Sequence, residues 1–139
     1  MVKSLSLGEV EFTAHRLATK LMDWNEPIPP FSTRLPSKLE SCLATPFQTF
    51  GRREMYKGLT AKAAILFYLL AKNHPFQNGN KRIAVTTLLV FLDKNGKWLN
   101  VSNQELYNFA VWVAESPAVV RDQVVEAVEI FLKKHSVAL

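Results

Sequence analysis

The chain has 139 residues, which is enough for one domain with a full hydrophobic core and too few for two. Hydrophobic residues make up 48% and charged residues 21%, a composition that excludes an intrinsically disordered protein. Cys42 is the only cysteine, so an internal disulfide is excluded and a reducing, cytoplasmic setting is expected. We expect a single domain over residues 1–139, with no signal peptide and no membrane span.

The net charge of +5 is concentrated in one third of the sequence. Residues 51–82 hold seven basic residues and one acid, Glu54, whereas the rest of the chain sums to −1. A local basic region indicates an anionic partner such as a nucleotide, a phosphate group or a nucleic acid. Lys62 and Lys72 are interpreted as solvated positions on a helix face.

The first part of the chain predicts two helices separated by a connector. Apolar residues at helical spacing predict a helix over residues 7–24. Residues 25–36 hold four prolines and are expected to form an ordered, non-helical connector. The pattern Ser37-x-x-Glu40 is typical of a capping box and predicts a short helix to about Thr45.

A hairpin and two buried helices are predicted next. Residues 47–57 place short extended arms on both sides of Gly51, which predicts a β-hairpin, here called the flap. A helix capped by Thr60 is expected to run to about Asn73, and a second helix to cover residues 80–95. Both are apolar almost all round, which is typical of buried helices.

The C-terminal third predicts two more helices. Ser102-x-x-Glu105 is a capping box for a helix to about Glu115. Ser116-Pro117 supplies a cap and a first-turn proline for a last helix that runs to about His135. The expected fold class is therefore all-α, a compact bundle of about six helices with a small β-hairpin.

The motif segment, residues 74–82, joins the two buried helices and carries the candidate chemistry; it reads His-Pro-Phe-Gln-Asn-Gly-Asn-Lys-Arg. It is polar and held at both ends by buried helices, which is how functional loops are positioned. The second helix begins near Asn80, so its first amides can face an anion. Lys81 and Arg82 are cations in a first turn where the helix dipole disfavours them. Together these features favour a phosphate-binding site.

Each residue of the motif segment also has an ordinary structural explanation. His74 is suited to cap the C-terminus of the preceding helix, and Phe76 to anchor the segment in the core. Gly79 and Asn80 fit a turn followed by an N-cap, and the two cations can point to solvent. These explanations do not account for the occurrence of all these residues within nine positions.

The motif segment resembles the signature of the Fic/Doc family, His-x-Phe-x-(Asp/Glu)-(Gly/Ala)-Asn-(Gly/Lys)-Arg, and matches every specified position but one. The resemblance extends over residues 30–115, and the small size resembles the death-on-curing (Doc) branch. It implies a compact helical fold and a transferase that moves part of a nucleotide, with ATP as co-substrate, onto a hydroxyl of a target protein.

The resemblance implies a role for each matching residue. His74 would be the general base that takes the proton from the attacking hydroxyl, and Phe76 would anchor the loop. Arg82 would also offset the charge that develops during transfer. The residues expected to bind the nucleotide phosphates are Gly79, Asn80, Lys81 and Arg82.

The flap is expected to align an extended segment of the target protein by strand addition. The residues expected to dock the target are Phe47, Thr49, Phe50, Arg52 and Arg53.

Two positions bear on the kind of transfer. Family members with Gly at position 81 typically transfer AMP, whereas Lys81 resembles Doc, which acts as a protein kinase. Protein phosphorylation is therefore expected, with AMPylation as the alternative.

Asn78 stands where the family has the acidic ligand of Mg²⁺, a cation that usually takes a carboxylate. We expect weakened Mg²⁺ binding, and a catalytically degenerate nucleotide- or protein-binding module is a further alternative.

The expected partners follow from the same resemblance. None of the nine glutamates is followed by Gly or Asn, so the family's self-inhibitory pattern is not found in the sequence. A toxin restrained by a separate antitoxin is therefore expected, in addition to the nucleotide and the target protein. Nucleic acid is disfavoured because the basic region lacks a recognition-helix or aromatic-platform pattern.

Overall fold

The computed structural model describes residues 1–21 and 27–139, which contain six helices and two small sheets. Helix α1 consists of three consecutive segments, Leu7–Glu9, the π-helical Val10–His15, and Arg16–Leu21. The other helices are α2 (Lys38–Ala44), α3 (Gly58–Lys72), α4 (Asn80–Lys94), α5 (Asn103–Glu115) and α6 (Arg121–His135). The predicted all-α fold class is confirmed.

The two long apolar helices α3 and α4 pack against each other at the centre of the fold. Helices α5 and α6 pack against α3, and the π-helical part of α1 packs against α4. Residues 63–71 of α3 are all buried, as the unbroken apolar run predicts. The motif segment therefore joins two elements whose positions are fixed by the core.

The predicted flap hairpin is confirmed, with strands β1 (Thr49–Phe50) and β2 (Arg53–Glu54) paired antiparallel. Gly51 and Arg52 form a two-residue turn with φ of 56° and 66°. Positive φ at both positions matches the right-handed twist of short hairpins, and Gly51 supplies it without strain. A second sheet pairs β3 (Lys97–Leu99) with β4 (Ser136–Ala138) and was not predicted.

The predicted capping box at Ser37 is wrong. Ser37 precedes α2 with a left-handed φ of 69°, and its side chain makes no capping hydrogen bond. Glu40 instead pairs with Arg34, at 3.6 Å between Oε1 and Nε. The glutamate therefore pairs with a nearby guanidinium and does not complete a capping box.

Two other predicted helix starts are also wrong. Helix α3 begins at Gly58, two residues before Thr60, with Lys57 as its N-cap. The Ser116 hydroxyl donates to Val113 O, and a 3₁₀ turn at Ala118–Val120 precedes α6. Ser116 therefore closes the preceding helix instead of capping the next one.

The connector was predicted to be non-helical but contains a 3₁₀ turn at Phe31–Thr33, in the stretch between Pro30 and Pro36 that holds no proline. The remaining predicted boundaries agree closely with the structure. Ser102 Oγ accepts from the Glu105 N–H at 3.1 Å, and α4 ends at Lys94, one residue before the predicted end. The predicted end of the first helix and the start of the connector fall on residues 22–26, outside the described residues. No helix within the described ranges combines the length and the apolar character that crossing a membrane requires.

Candidate functional site

His74 lies at the point where the chain leaves α3. The helix ends at Lys72, and the Asn73 N–H still donates to Leu69 O. His74 then takes a left-handed φ of 47°, a conformation that glycine adopts far more readily, and its side chain is exposed. Left-handed non-glycine residues concentrate at functional sites, where surrounding contacts hold them in place.

The Asn80 side chain fixes the backbone of the motif segment. Asn80 is buried, its Oδ1 accepts from the Phe76 N–H at 3.0 Å, and its Nδ2 donates to Phe76 O at 2.8 Å. The same Nδ2 lies 3.5 Å from Nδ1 of His74. One amide side chain therefore closes the loop and reaches the ring of the candidate base. This use of the Asn80 side chain was not predicted from the sequence, where Asn80 was expected to bind phosphate.

Phe76 anchors the motif segment in the core, as expected. Its side chain is 1% exposed, and its ring lies 5.8 Å from that of His15 and 5.9 Å from that of Phe31. His15 Nε2 lies 2.9 Å from Pro29 O, within hydrogen-bond distance. The segment is thus packed on both α1 and the proline-rich connector. Nothing in the sequence pattern pointed to His15.

Gly79 is enclosed by the connector. It precedes α4 with a φ of 74°, and a Cβ atom at this position would lie 2.5 Å from Ile28 Cδ1 and 2.9 Å from Pro27 O. Both the backbone conformation and the close approach therefore require glycine. Pro27 and Ile28 therefore cover the predicted phosphate-binding residues on the side of Gly79.

The two cations of the motif segment differ in environment. Arg82 is buried and its Nη2 donates to the backbone carbonyl of Ala18 in α1. Lys81 is half-buried in the first turn of α4. In this structure Arg82 connects α4 to α1, a role that the motif did not reveal.

A cavity of about 430 Å³ opens beside His74. It lies between the start of α2 and the end of α3, and several of its polar side chains were not singled out from the sequence. Its lining residues are Ser37, Lys38, Ser41, Lys72, Asn73 and His74. The cavity offers room for a reacting group beside an exposed histidine, but the predicted phosphate-binding residues do not line it. A second, comparably large cavity lies between the N-terminal segment and α2 and includes no residue of the motif segment.

The residues at the expected metal position fit Mg²⁺ poorly. Asn78 is exposed, and its Oδ1 accepts from the Gly79 N–H at 2.8 Å. Within residues 1–21 and 27–139, no group of three or more His, Cys, Asp or Glu side chains could hold a metal ion. Glu54, the one acid within residues 51–82, is paired with Lys62. An amide oxygen that already accepts a hydrogen bond is a weak ligand for a hard cation.

The flap exposes most of the residues expected to dock a target. Thr49, Arg52 and Arg53 are exposed, and the Phe50 side chain is 82% exposed. Phe47 differs, because it lies in the 3₁₀ turn before β1 with its ring 6.3 Å from that of Phe91. Phe47 therefore holds the base of the flap to α4, and its exposure to a partner is limited.

The interpretation of Lys62 and Lys72 as solvated is wrong. Lys62 is buried, and its Nζ lies 3.1 Å from Glu54 Oε1. Lys72 is half-buried and its Nζ donates to Ala114 O at 3.3 Å and to Ser116 O. Both ammonium groups find partners contributed by other elements, which a helix read alone does not show.

Comparison with known families adds an independent observation. The family model described as the Fic/DOC family matches residues 10–92, more than half of the chain, including the flap, the motif segment and nearly all of both central helices. The comparison with curated proteins and the comparison with solved structures found no match. The chain belongs to the Fic/DOC family.

Proposed function

We propose that this protein is a Doc-like transferase that uses ATP to phosphorylate a hydroxyl of a target protein, and that it is the toxin of a toxin–antitoxin pair. Membership of the Fic/DOC family supports a nucleotidyl or phosphoryl transferase. The observation that carries the proposal is the placement of His74. It is exposed beside a cavity lined by serine, lysine and asparagine residues, on a segment held by Asn80 and Phe76.

In the proposed reaction, His74 takes the proton of the target hydroxyl as the oxygen attacks the γ-phosphorus of ATP. A new O–P bond forms, the bond from the γ-phosphorus to the β–γ bridging oxygen breaks, and ADP leaves with that electron pair. A neutral imidazole has one unprotonated nitrogen available for this step. Asn80 Nδ2 is a donor and lies 3.5 Å from Nδ1, so Nδ1 is the unprotonated nitrogen of the ring, and the Asn80 contact is given up when Nδ1 takes the proton.

Lys81 and Arg82 supply the cations of the proposed phosphate site. Lys81 is half-buried at the start of α4, where the helix dipole adds to its positive potential. Arg82 contributes positive charge from its position against α1. Lysine at position 81, as in Doc, favours transfer of the terminal phosphate over transfer of AMP.

Two labels on ATP separate these outcomes. The protein is incubated with cell extract and ATP labelled on either the γ- or the α-phosphate, and protein-bound label is counted. Label from the γ-phosphate alone supports the kinase, and label from the α-phosphate alone supports the AMPylation alternative. Label from neither position on any protein contradicts the enzymatic proposal.

A second candidate function is nucleotide or partner binding without turnover, which the poor Mg²⁺ site at Asn78 favours. Calorimetric titration with ATP tests it. Binding that is equally tight with and without Mg²⁺, combined with no label transfer, supports the binding module.

A further inference from the structure

Among the residues that the structure describes, Lys62 is the only buried lysine, with 1% of its surface exposed. It lies in the first half of α3, below the flap. A buried ammonium group is costly unless hydrogen bonds and an opposite charge surround it. Neither the motif segment nor the proposed phosphate site uses this charge, so its burial requires a separate explanation.

All three contacts of the Lys62 ammonium come from the flap. Its Nζ lies 3.1 Å from Glu54 Oε1 in β2, donates to Tyr56 O, and lies 5.6 Å from the centre of the Phe47 ring. Phe47 precedes the hairpin and Tyr56 follows it. One cation therefore joins both ends of the flap and its second strand to the central helix.

The flap needs such support because its own hydrogen bonds are few. Each strand has two residues, and one further bond joins Met55 N–H to Gln48 O at 3.1 Å. An isolated two-stranded hairpin is marginally stable in water. The turn at Gly51 sets its register, whereas the contacts of Lys62 set its position relative to α3.

We propose that Lys62 is a positioning residue that fixes the flap for the target protein. The proposal rests on the proposed function, in which the flap aligns the target. It does not make Lys62 a stabiliser of the core, because Glu54 is 56% exposed and its carboxylate stays solvated when the Lys62 charge is removed. The role is thus distinguishable from a structural one.

Lys62→Met tests this role, since it keeps the buried stem and removes the charge. Lys94→Met is the control. Lys94 lies on α4, and its ammonium also pairs with a glutamate, Glu9, and with a backbone carbonyl, Ser4 O. Hydrogen exchange by mass spectrometry is measured over residues 47–57, together with the melting temperature. Label transfer from ATP is measured as a function of extract and of ATP concentration.

We expect Lys62→Met to raise exchange about tenfold in residues 47–57 only, without lowering the melting temperature. It should also raise the amount of extract needed for half-maximal transfer about tenfold, with the dependence on ATP unchanged. Glu54→Gln changes an exposed side chain and should also raise both the exchange in residues 47–57 and the amount of extract needed for half-maximal transfer. Lys94→Met should change neither.

Unchanged exchange in residues 47–57, or a rise over the whole chain with a lower melting temperature, would overturn the proposal. An altered dependence on ATP with an unaltered dependence on extract would also overturn it. If wild type transfers no label while exchange in Lys62→Met rises only in the flap, the positioning role stands and the proposed transferase activity fails.

Discussion

The side chain of Asn80 holds the backbone of Phe76 from both sides, accepting from its N–H at 3.0 Å and donating to its carbonyl at 2.8 Å. Asn80 is the first residue of α4, so this pair of bonds ties the motif segment to the start of a buried helix. The position of His74 therefore depends on a residue six positions along the chain.

Asn80→Ala should destabilise the protein by about 3 kcal/mol, because it leaves two buried backbone groups without their partner. Urea unfolding measures the change. Asn108→Ala is the control, since the Asn108 side chain accepts one exposed hydrogen bond, from Gln104, and its loss should cost about 0.5 kcal/mol or less. Equal losses of unfolding free energy in the two variants would contradict the role of Asn80 in holding the motif segment.

Gly79→Ala should lose more stability than Gly96→Ala. Both glycines have a positive φ, 74° and 79°, so both variants acquire about 1 kcal/mol of backbone strain. A Cβ at Gly96 meets nothing within 4 Å, whereas at Gly79 it overlaps Ile28 and Pro27. We expect about 1–3 kcal/mol of additional loss at Gly79 in thermal or urea unfolding. Similar losses would mean that the connector does not pack on Gly79.

His74→Gly should stabilise the fold while abolishing transfer. The φ of 47° is strained for histidine and free of strain for glycine, which is worth about 1 kcal/mol. His74→Ala keeps the strain and is the matched control for loss of the ring. Urea unfolding of the two variants gives the difference, and a glycine variant no more stable than the alanine variant would contradict the assignment.

Asn78→Asp should restore a carboxylate at the expected Mg²⁺ position and raise Mg²⁺-dependent label transfer by at least about tenfold. Gln77→Glu adds the same charge one exposed position earlier and serves as control. The measurement is transfer as a function of Mg²⁺ concentration. A response in both variants, or in neither, would show that position 78 does not set the metal dependence.

Cys42 should make stability fall at alkaline pH. Burial raises the pKa of its thiol from 9.0 to about 11. The unfolded chain therefore loses this proton first, and stability present below about pH 9 declines as the pH rises towards 11. By pH 10 we expect the free energy of unfolding to fall by about 1 kcal/mol more than in Cys42→Ala, measured by urea unfolding below pH 9 and at pH 10. A parallel pH dependence in the two proteins would exclude this contribution.

The helices and the flap could be predicted because their signals are local. The apolar run of α3, the Asn95-Gly96 stop and the glycine turn of the hairpin each depend on a few neighbouring residues. The motif segment was found in the same way. Its short spacing brings His74, Phe76 and Asn80 together at the junction of two buried helices.

Features that depend on contacts between two different elements could not be predicted. In the sequence, Lys62 is typical of a solvated helix position, and only the apolar run that follows it indicates burial. In the structure it is buried because the flap covers it. The side chain of Glu40 was expected to cap α2, but its partner Arg34 comes from the connector. The carbonyl that accepts from Arg82 lies in α1, 64 residues earlier.

The central proposal is that His74 is the base of a phosphoryl transfer from ATP to protein. Transfer of γ-label to proteins of a cell extract is compared for wild type, His74→Ala and His135→Ala. His135→Ala is the control, because His135 lies on α6 near Glu105 and outside the motif segment. We predict that His135→Ala retains wild-type transfer and that His74→Ala loses it by about a hundredfold or more. Equal transfer by His74→Ala and wild type, or no transfer by any of the three, would contradict the proposal.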